Sequence, residues 1–234
     1  MRIGLLLVGH VADTSTHIAG DYPELFGALL GPEVELVRYD LDRDRFPDSG
    51  AECDGWLLSP SRCSVYDAHP WIASAEDLLR ELLAAERPYV GICFGHQLVA
   101  QALGARVERA AGGWEVGAHD YEIVASRPWM RPPRPAITLI ASHEDQVLEV
   151  PDGAELLART DGCPIAGLSI GERAWTIQPH PEFVPALADD LLGRRVDLIG
   201  APEVAAARAT LDRPLDGGVV AGWIRAFFAD AGAG

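Results

Sequence analysis

Residues 91–97 read GICFGHQ, a stretch in which Gly91 and Gly95 each lie two positions from Cys93. An apolar run precedes the stretch and residues 98–103 have a helical composition, so the cysteine lies where a strand turns into a helix. A Gly-x-nucleophile-x-Gly turn holds its central side chain clear of the sheet, beside the free N–H groups of the first helical turn. The other interpretation is a tight turn around a small, inert, buried cysteine, and this motif alone does not choose between them.

The composition indicates an α/β protein that does not bind nucleic acids. The chain has 234 residues, of which 48% are hydrophobic, and this predicts one large domain over residues 1–234, or at most two small ones. The formal net charge of −16 disfavours contact with a nucleic-acid backbone. All 19 basic residues are arginine, which excludes a P-loop lysine and a lysine Schiff base. No G-x-G-x-x-G motif follows the first strand, and no cofactor is predicted.

The cysteines and the first residues of the chain indicate the cellular compartment of the protein. The four cysteines, at positions 53, 63, 93 and 163, show neither C-x-x-C pairing nor metal-finger spacing, so we predict no metal site and a reduced, cytoplasmic setting. The opening MRIGLLLVGH contains a short apolar run without a small-residue cleavage site, and we interpret it as a buried strand. No stretch approaches transmembrane length, so no membrane partner is predicted.

Short apolar runs alternate with amphipathic segments, as expected for a sheet that helices cover on both faces. The predicted strands are residues 3–8, 34–39, 55–58, 89–92, 105–108, 120–124, 137–141, 154–158, 165–168 and 174–177, some of the later ones antiparallel. Helices are predicted over residues 22–30 and 72–85, with terminal helices in 185–234 and an exposed connection at 127–135. The result is a three-layer α/β fold with a mostly parallel central sheet, whose ligands lie beyond the carboxyl ends of its strands, where Cys93 also lies.

A cysteine nucleophile needs a base, and the base needs a group that orients it. His180 lies between two prolines after a predicted strand, and Pro181 favours an extended backbone at His180. Residues i and i+2 of an extended chain project to the same side, so Glu182 could bind one imidazole nitrogen while the other faces Cys93. His96 lies on the helix that follows Cys93, from which reaching back to the thiol is awkward. A loop histidine beside a solvated glutamate is the alternative that H-P-E alone leaves open.

The two motifs together carry a family resemblance. Residues 91–97, GICFGHQ, followed by residues 178–182, QPHPE, resemble the class I glutamine amidotransferases. Residues 54–67, DGWLLSPSRCSVYD, and residues 142–147, SHEDQV, resemble further segments of that family in the same order. The chain is most similar to free-standing proteins like the glutaminase part of GMP synthase, a group that includes γ-glutamyl peptidases. The resemblance implies a flavodoxin-like fold and a cysteine hydrolase that acts on a small γ-glutamyl substrate.

The resemblance also implies roles for individual residues. Cys93 would attack the γ-carbonyl of a glutamyl group, His180 would move the proton, and Glu182 would orient His180. The other implied site residues are Phe94 and Ser61, whose backbone N–H groups would form the oxyanion hole, and Gln97, Ser142 and His143, which would contact the substrate.

The segment 59–62 departs from the pattern of the family. Relatives of GMP synthase have S-G-G-P where this chain has Ser-Pro-Ser-Arg. Pro60 has no N–H and stiffens the chain before Ser61. Only the backbone of Ser61 is used in this register, so Ser61→Ala is expected to be nearly silent. Arg62 could contact a substrate carboxylate, and Trp114 lies in a loop that could close one wall of the pocket.

Three classes of function remain open. The first is a glutaminase that delivers ammonia to a synthetase. The synthetase would be a separate chain, because residues 185–234 are expected to form only terminal helices. The second is a hydrolase of γ-glutamyl amides or peptides, with an open leaving-group side bounded by residues 59–69, 111–118 and the surroundings of His143. The third is a non-catalytic binding protein, which an intact Cys-His-Glu set disfavours. A dienelactone-hydrolase-like enzyme also uses G-x-C-x-G, but its acid would precede the histidine.

Overall fold

The computed structural model describes residues 1–232. Its strands are β1 (Arg2–Leu7), β2 (Glu35–Asp40), β3 (Gly55–Leu58), β4 (Tyr89–Ile92), β5 (Val107–Arg109), β6 (Glu115–Ile123), β7 (Ala136–His143), β8 (Asp145–Val147), β9 (Ala154–Arg159), β10 (Gly167–Ile170) and β11 (Ala174–Ile177). The helices of this part of the chain are α1 (Thr16–Ala19), α2 (Tyr22–Leu30), α3 (Pro70–Ala84), α4 (Phe94–Ala102), α5 (Pro185–Arg194), α6 (Val196–Ile199), α7 (Ala201–Arg208) and α8 (Gly217–Gly232), with a 3-10 turn at Leu41–Arg43. Residues 233–234 of the predicted terminal segment lie outside the described residues.

A large sheet joins the two halves of the chain. Its strand order is β2-β1-β3-β4-β11-β10-β9-β6-β7. The pairs from β2 to β11 are parallel, and the pairs from β11 to β7 are antiparallel. β5 and β8 form a separate two-stranded sheet. The predicted α/β fold is confirmed, and Cys93 follows β4 in the parallel half.

Helices cover both faces of the sheet, as the apolar strands predicted. On β1, Leu5 and Leu7 enter one hydrophobic cluster, while Leu6 between them enters another. The first cluster also contains buried residues of α2, α5 and α8, and the second contains those of α3 and α4. Successive side chains of a strand point to opposite faces, so a strand buried on both faces has a continuous apolar run. No helix within residues 1–232 is both long and apolar enough to cross a membrane.

The sequence prediction was wrong in parts of the antiparallel half. β6 begins at Glu115 rather than at residue 120, because it pairs along the whole length of β7. The predicted exposed connection, residues 127–135, contains buried Trp129 and Met130. Trp129 stacks on Trp175 of β11, with the ring centroids 4.7 Å apart. Proline and arginine in this segment indicated a surface loop, but its aromatic residue anchors the loop to the core.

Candidate active site

Cys93 occupies a strained turn between β4 and α4. Its φ of 52° lies in the left-handed region, which costs a residue other than glycine about 1–3 kcal/mol. The Cys93 N–H donates to the carbonyl of Ile177 on β11 over 2.9 Å, and the Cys93 carbonyl accepts from the N–H groups of His96 and Gln97, each at 3.0 Å. These bonds hold the strained backbone from both sides. The turn has the geometry that residues 91–97 predicted.

The two glycines of the turn let backbone segments approach each other. A Cβ on Gly91 would lie 2.5 Å from the carbonyl oxygen of Gly95, and a Cβ on Gly95 would lie 2.8 Å from the carbonyl oxygen of Leu58. The Tyr89 hydroxyl donates to the carbonyl of Gly95 over 2.9 Å. Side chains at either glycine would therefore push α4 away from the sheet.

We expect Gly95→Ala to destabilise the protein by about 1–3 kcal/mol, since the new methyl group would collide with the backbone of β3. The matched control is Gly27→Ala on α2, where a Cβ meets nothing within 4 Å in the part of the chain that the structure describes. That control should be neutral or stabilising by up to about 1 kcal/mol, because alanine favours the helix. Urea unfolding of both variants measures the difference. Equal stability of the two variants would show that the close approach at Gly95 is not required.

His180 and Glu182 form a buried pair. The Nδ1 atom of His180 lies 2.8 Å from Oε1 of Glu182, and both side chains are almost fully buried. The His180 N–H donates to the carbonyl of Ile140 over 2.9 Å, and the imidazole stacks on Phe183 with the ring centroids 4.0 Å apart. The other ring nitrogen, Nε2, has no hydrogen-bond partner among residues 1–232. The ring is thus fixed at one nitrogen and available at the other, in a cleft that Cys93 also lines.

The electrostatic surroundings of His180 favour its protonated form. Burial lowers the pKa of the imidazole, but the negative charges of Glu182 and of a Cys93 thiolate outweigh burial and raise this pKa from 6.5 to about 10. Folding raises the pKa of His180, so protonation of His180 stabilises the folded protein. This contribution is complete at pH values below the pKa of the unfolded chain and is lost as the pH rises through about 10.

His96 is held away from this chemistry, in the core. Its Nδ1 lies 2.7 Å from the hydroxyl oxygen of Thr176, and its Nε2 lies 3.0 Å from the carbonyl oxygen of Ile165. The ring is fully buried, and burial lowers the pKa of His96 to about 3. A neutral imidazole with both nitrogens engaged is a structural residue.

The two backbone groups predicted for the oxyanion hole lie near Cys93. Phe94 begins α4, and its N–H donates no hydrogen bond within residues 1–232. The Ser61 N–H likewise donates no hydrogen bond within residues 1–232. Ser61 and Cys93 together line two clefts, which are described below. The Ser61 hydroxyl donates to the carbonyl of Val8 over 2.7 Å and accepts from the Cys63 N–H over 3.2 Å. The side chain of Ser61 therefore ties its loop to the end of β1, which the sequence did not indicate.

Two clefts meet at Cys93. The Gln97 cleft has a volume of about 170 Å³ and is lined by Gln97, Trp114, His143 and Asp145, among others. The His180 cleft is narrower, about 30 Å³, and is lined by His10, Tyr22, His180 and Phe183, among others. The wall common to both clefts consists of Ser61, Arg62, Cys93, Ser142 and Arg195. An open groove of about 540 Å³ adjoins the His180 cleft and shares residues 10–12 and 62 with it.

The three predicted substrate contacts all line the Gln97 cleft. Gln97 donates its amide hydrogens to the carbonyl of Asp145 over 2.8 Å and to Oε1 of Gln178 over 3.0 Å. The Ser142 hydroxyl accepts from Arg195 over 2.7 Å. These bonds fix the side chains of Gln97 and Ser142 at the wall of the cleft.

His143 belongs to a cluster behind the Gln97 cleft. Its Nε2 lies 3.5 Å from Oε2 of Glu115, at ion-pair distance. Potential ligand atoms of Glu115, His143 and Cys163 lie within 4.8 Å of one another, so these three residues could hold a metal ion. Burial raises the pKa of the Cys163 thiol, as does the charge of Glu115, and both favour the protonated thiol when no cation is present.

Sequence reasoning missed two residues of the site. Gln178 donates to Sγ of Cys93 over 3.5 Å and accepts from Gln97, so it links these two side chains. The sequence could have indicated Gln178, because it lies two residues before His180 and residues i and i+2 of an extended chain project to the same side. Arg195 follows α5, bonds to Ser142 and lies 5.4 Å from the centre of the Trp114 ring. No local motif marks Arg195, which reaches the site only through the packing of the terminal helices.

Comparison with known proteins places this chain in a family. Residues 27–195 match the family described as glutamine amidotransferase class-I. The chain belongs to this family, and it is an enzyme of the cysteine-hydrolase type, as the motifs predicted.

The relatives include γ-glutamyl peptidases and GMP synthases. Gamma-glutamyl peptidase 4 of Arabidopsis thaliana is 33% identical over 185 residues, which cover 75% of this chain and 73% of the relative. The glutamine-hydrolyzing GMP synthase of Halobacterium salinarum has a subunit that is 29% identical over 174 residues, which cover 74% of this chain and 88% of the relative. The crystal structure of a glutamine amidotransferase from Thermotoga maritima has the same fold, with a TM-score of 0.77 at 19% identity over 100% of this chain and 99% of that one.

Proposed function

We propose that the protein hydrolyses the γ-glutamyl amide bond of a small substrate through a thioester on Cys93. The observation that carries this proposal is the buried His180–Glu182 pair, whose histidine lines the same cleft as a cysteine held in a strained strand-to-helix turn. A nucleophile, a base and a group that orients the base are the minimum for acyl transfer by cysteine. Family membership and the names of the relatives support the same chemistry.

In the first half of the proposed reaction, the Cys93 thiolate attacks the γ-carbonyl carbon and forms a tetrahedral oxyanion. The oxyanion collapses, the C–N bond breaks, and the imidazolium of His180 gives its proton to the departing nitrogen. The γ-glutamyl group is left as a thioester on Sγ. Glu182 keeps His180 in the required orientation and stabilises its positive charge.

In the second half, His180 takes a proton from a water molecule that attacks the thioester carbonyl. The C–S bond then breaks and releases the Cys93 thiolate and the γ-carboxylic acid of glutamate. The acid gives its proton to solvent and becomes the γ-carboxylate, so the imidazolium of His180 and the thiolate of Cys93 are restored. Both tetrahedral oxyanions would be bound by the N–H groups of Phe94 and Ser61. Donors aimed at the developing charge act on the transition state more than on the ground state.

We expect Ser61→Pro to lower kcat about 100- to 1,000-fold, because proline deletes the proposed donor N–H. Ser61→Ala keeps that N–H but loses the hydroxyl bonds to Val8 and Cys63, so we expect a smaller loss than for Ser61→Pro. This replaces the expectation from sequence that Ser61→Ala is nearly silent. Steady-state kinetics of both variants, with circular dichroism to confirm folding, provide the measurement. Equal damage by the two substitutions would assign the effect to the side chain instead of the backbone.

The position of His180 also indicates where the leaving group lies. The group that protonates the departing nitrogen must be on the leaving-group side, so the leaving group occupies the His180 cleft. The sequence expectation placed this side next to residues 111–118 and His143, but Trp114 and His143 line the Gln97 cleft instead. The Gln97 cleft would then hold the glutamyl group, in contact with Gln97, Ser142 and His143.

The groove next to the His180 cleft favours leaving groups larger than ammonia. A leaving group that fills the narrow cleft can extend into this open groove past His10 and Arg62. We therefore propose a γ-glutamyl peptidase or amidase. The test compares kcat/KM of the purified protein for glutamine and for a γ-glutamyl dipeptide, and we expect the dipeptide to be at least as good a substrate.

A glutaminase that delivers ammonia to a separate synthetase chain is the second candidate. The relative named for GMP synthase favours it. In that case glutamine turnover by the protein alone would be slow, the dipeptide would not be cleaved, and addition of the synthetase chain would accelerate ammonia release. The same kinetic comparison therefore separates the two candidates.

A further inference from the structure

Two arginine side chains line the site without a carboxylate partner among residues 1–232. Arg62 and Arg195 both belong to the wall that the two clefts share with Cys93. Many arginines of this acidic chain form ion pairs, as Arg194 does with Asp190 over 2.6 Å. Within residues 1–232, the side-chain hydrogen bonds of Arg62 and Arg195 go to the His10 carbonyl at 3.5 Å and to Ser142 at 2.7 Å. Both cations thus retain N–H groups for a ligand.

Arg195 is held in place at the wall of the two clefts. Its guanidinium bonds to Ser142 and lies against the Trp114 ring, so its orientation is restricted. Partial burial lowers the pKa of Arg195, and the nearby positive charge of Arg62 lowers it further. Two like charges near each other at a half-buried site repel, and an anion between them would relieve the repulsion. Guanidinium groups bind carboxylates through two parallel hydrogen bonds.

The position of these arginines identifies the carboxylate. A γ-glutamyl group carries one carboxylate and one ammonium group, whereas a leaving amino acid adds a second carboxylate two bonds from the nitrogen that departs. The leaving nitrogen must lie between Cys93 and His180, and Arg195 lines the same narrow cleft as both residues. Arg62 lines that cleft and also the open groove beyond it. A carboxylate close to the leaving nitrogen would therefore be within reach of both guanidinium groups.

We propose that Arg62 and Arg195 bind the carboxylate of the leaving group, which makes γ-glutamyl amino acids with a free carboxylate the preferred substrate class. This inference rests on the proposed hydrolase function and narrows it. Neutral γ-glutamyl amides and glutamine lack the second carboxylate, and they should bind less tightly.

Calorimetric binding to the Cys93→Ala variant tests the inference without turnover. The two ligands are γ-glutamylalanine and its C-terminal amide, which differ only in the charged group. We expect the free acid to bind at least about tenfold more tightly, equivalent to about 1.4 kcal/mol. Adding Arg195→Gln should weaken binding of the free acid and leave binding of the amide little changed. The affinities for the two ligands should then agree within about threefold. Adding Arg62→Gln should reduce the preference in part, because Arg62 is exposed.

The matched control is Arg194→Gln, a neighbouring arginine that pairs with Asp190 on the surface. It should leave the acid-to-amide ratio unchanged, and thermal unfolding of each variant checks that the fold is intact. Arg195→Lys should retain part of the preference, since it keeps the charge but loses the paired hydrogen bonds.

Several outcomes would overturn the inference. They are absence of binding of either ligand, equal affinity for acid and amide, and an acid preference that survives Arg195→Gln. Equal weakening of both ligands by Arg195→Gln would instead assign Arg195 to the α-carboxylate of the glutamyl group. Wild-type hydrolysis of both ligands is measured separately. Carboxylate-dependent binding without hydrolysis would reject the proposed function and keep the carboxylate site.

Discussion

Cys93→Ala is expected to lower the hydrolysis of every γ-glutamyl substrate by at least about 10⁴-fold, while the protein stays folded. The proposed thioester cannot form without Sγ, so no part of the covalent route remains. The fold should survive because alanine can occupy the same backbone as cysteine and because the substitution removes a single atom, Sγ, which accepts a 3.5 Å hydrogen bond from Gln178. Product release measured with γ-glutamyl dipeptide and glutamine, beside a urea unfolding curve, gives both quantities.

Labelling with an electrophilic glutamine analogue provides an independent check. The analogue should modify Cys93 and spare Cys53, Cys63 and Cys163, as peptide mass spectrometry would show. Cys53→Ala serves as the control, because Cys53 is buried beside Tyr39, with its Sγ 3.9 Å from the hydroxyl oxygen, and does not line either cleft. That variant should keep wild-type activity. Modification of a different cysteine together with an active Cys93→Ala variant would refute the proposed nucleophile.

His180→Ala is expected to cost more activity than Glu182→Gln, although both residues belong to one buried pair. His180 carries the proton in both half-reactions, so its loss should lower kcat by about 10³-fold or more. Glu182→Gln keeps a hydrogen-bonding group next to Nδ1 but removes the charge that stabilises the imidazolium. We expect it to retain about 10 to 100 times more activity than His180→Ala, as triad members that only orient the base do elsewhere.

The measurement is kcat of both variants at one pH, with His17→Ala as the control because His17 is exposed and lines neither cleft. Thermal unfolding separates a chemical effect from a loss of folding, since His180 also stacks on Phe183. Full activity of Glu182→Gln would show that the H-P-E motif is structural in this protein. A His180→Ala variant with more activity than Glu182→Gln would assign proton transfer to another group.

Local sequence predicted the parallel half of the sheet well. The strands around Cys93 are buried on both faces, so each is a short apolar run in the sequence. Segments with helical periodicity lie between these runs. The antiparallel half was predicted less well, because β6 contains Gly117 and His119 among its apolar residues and depends on β7 for its length. The prediction that the loop around Trp129 is exposed was wrong for a similar reason. The composition of this loop is typical of a surface segment, but Trp129 packs in the core.

The chain by itself determined the two local geometries of the candidate site. Glycines at two positions allow the strained turn at Cys93, and the alternation of an extended chain brings Glu182 to His180, so both arrangements depend on residues close in sequence. Only the tertiary structure decided the contact of Arg195 with Ser142, which are 53 residues apart, and that of Gln178 with Cys93, which are 85 apart. Such contacts depend on how whole helices and strands pack, and no short pattern of residues specifies that packing.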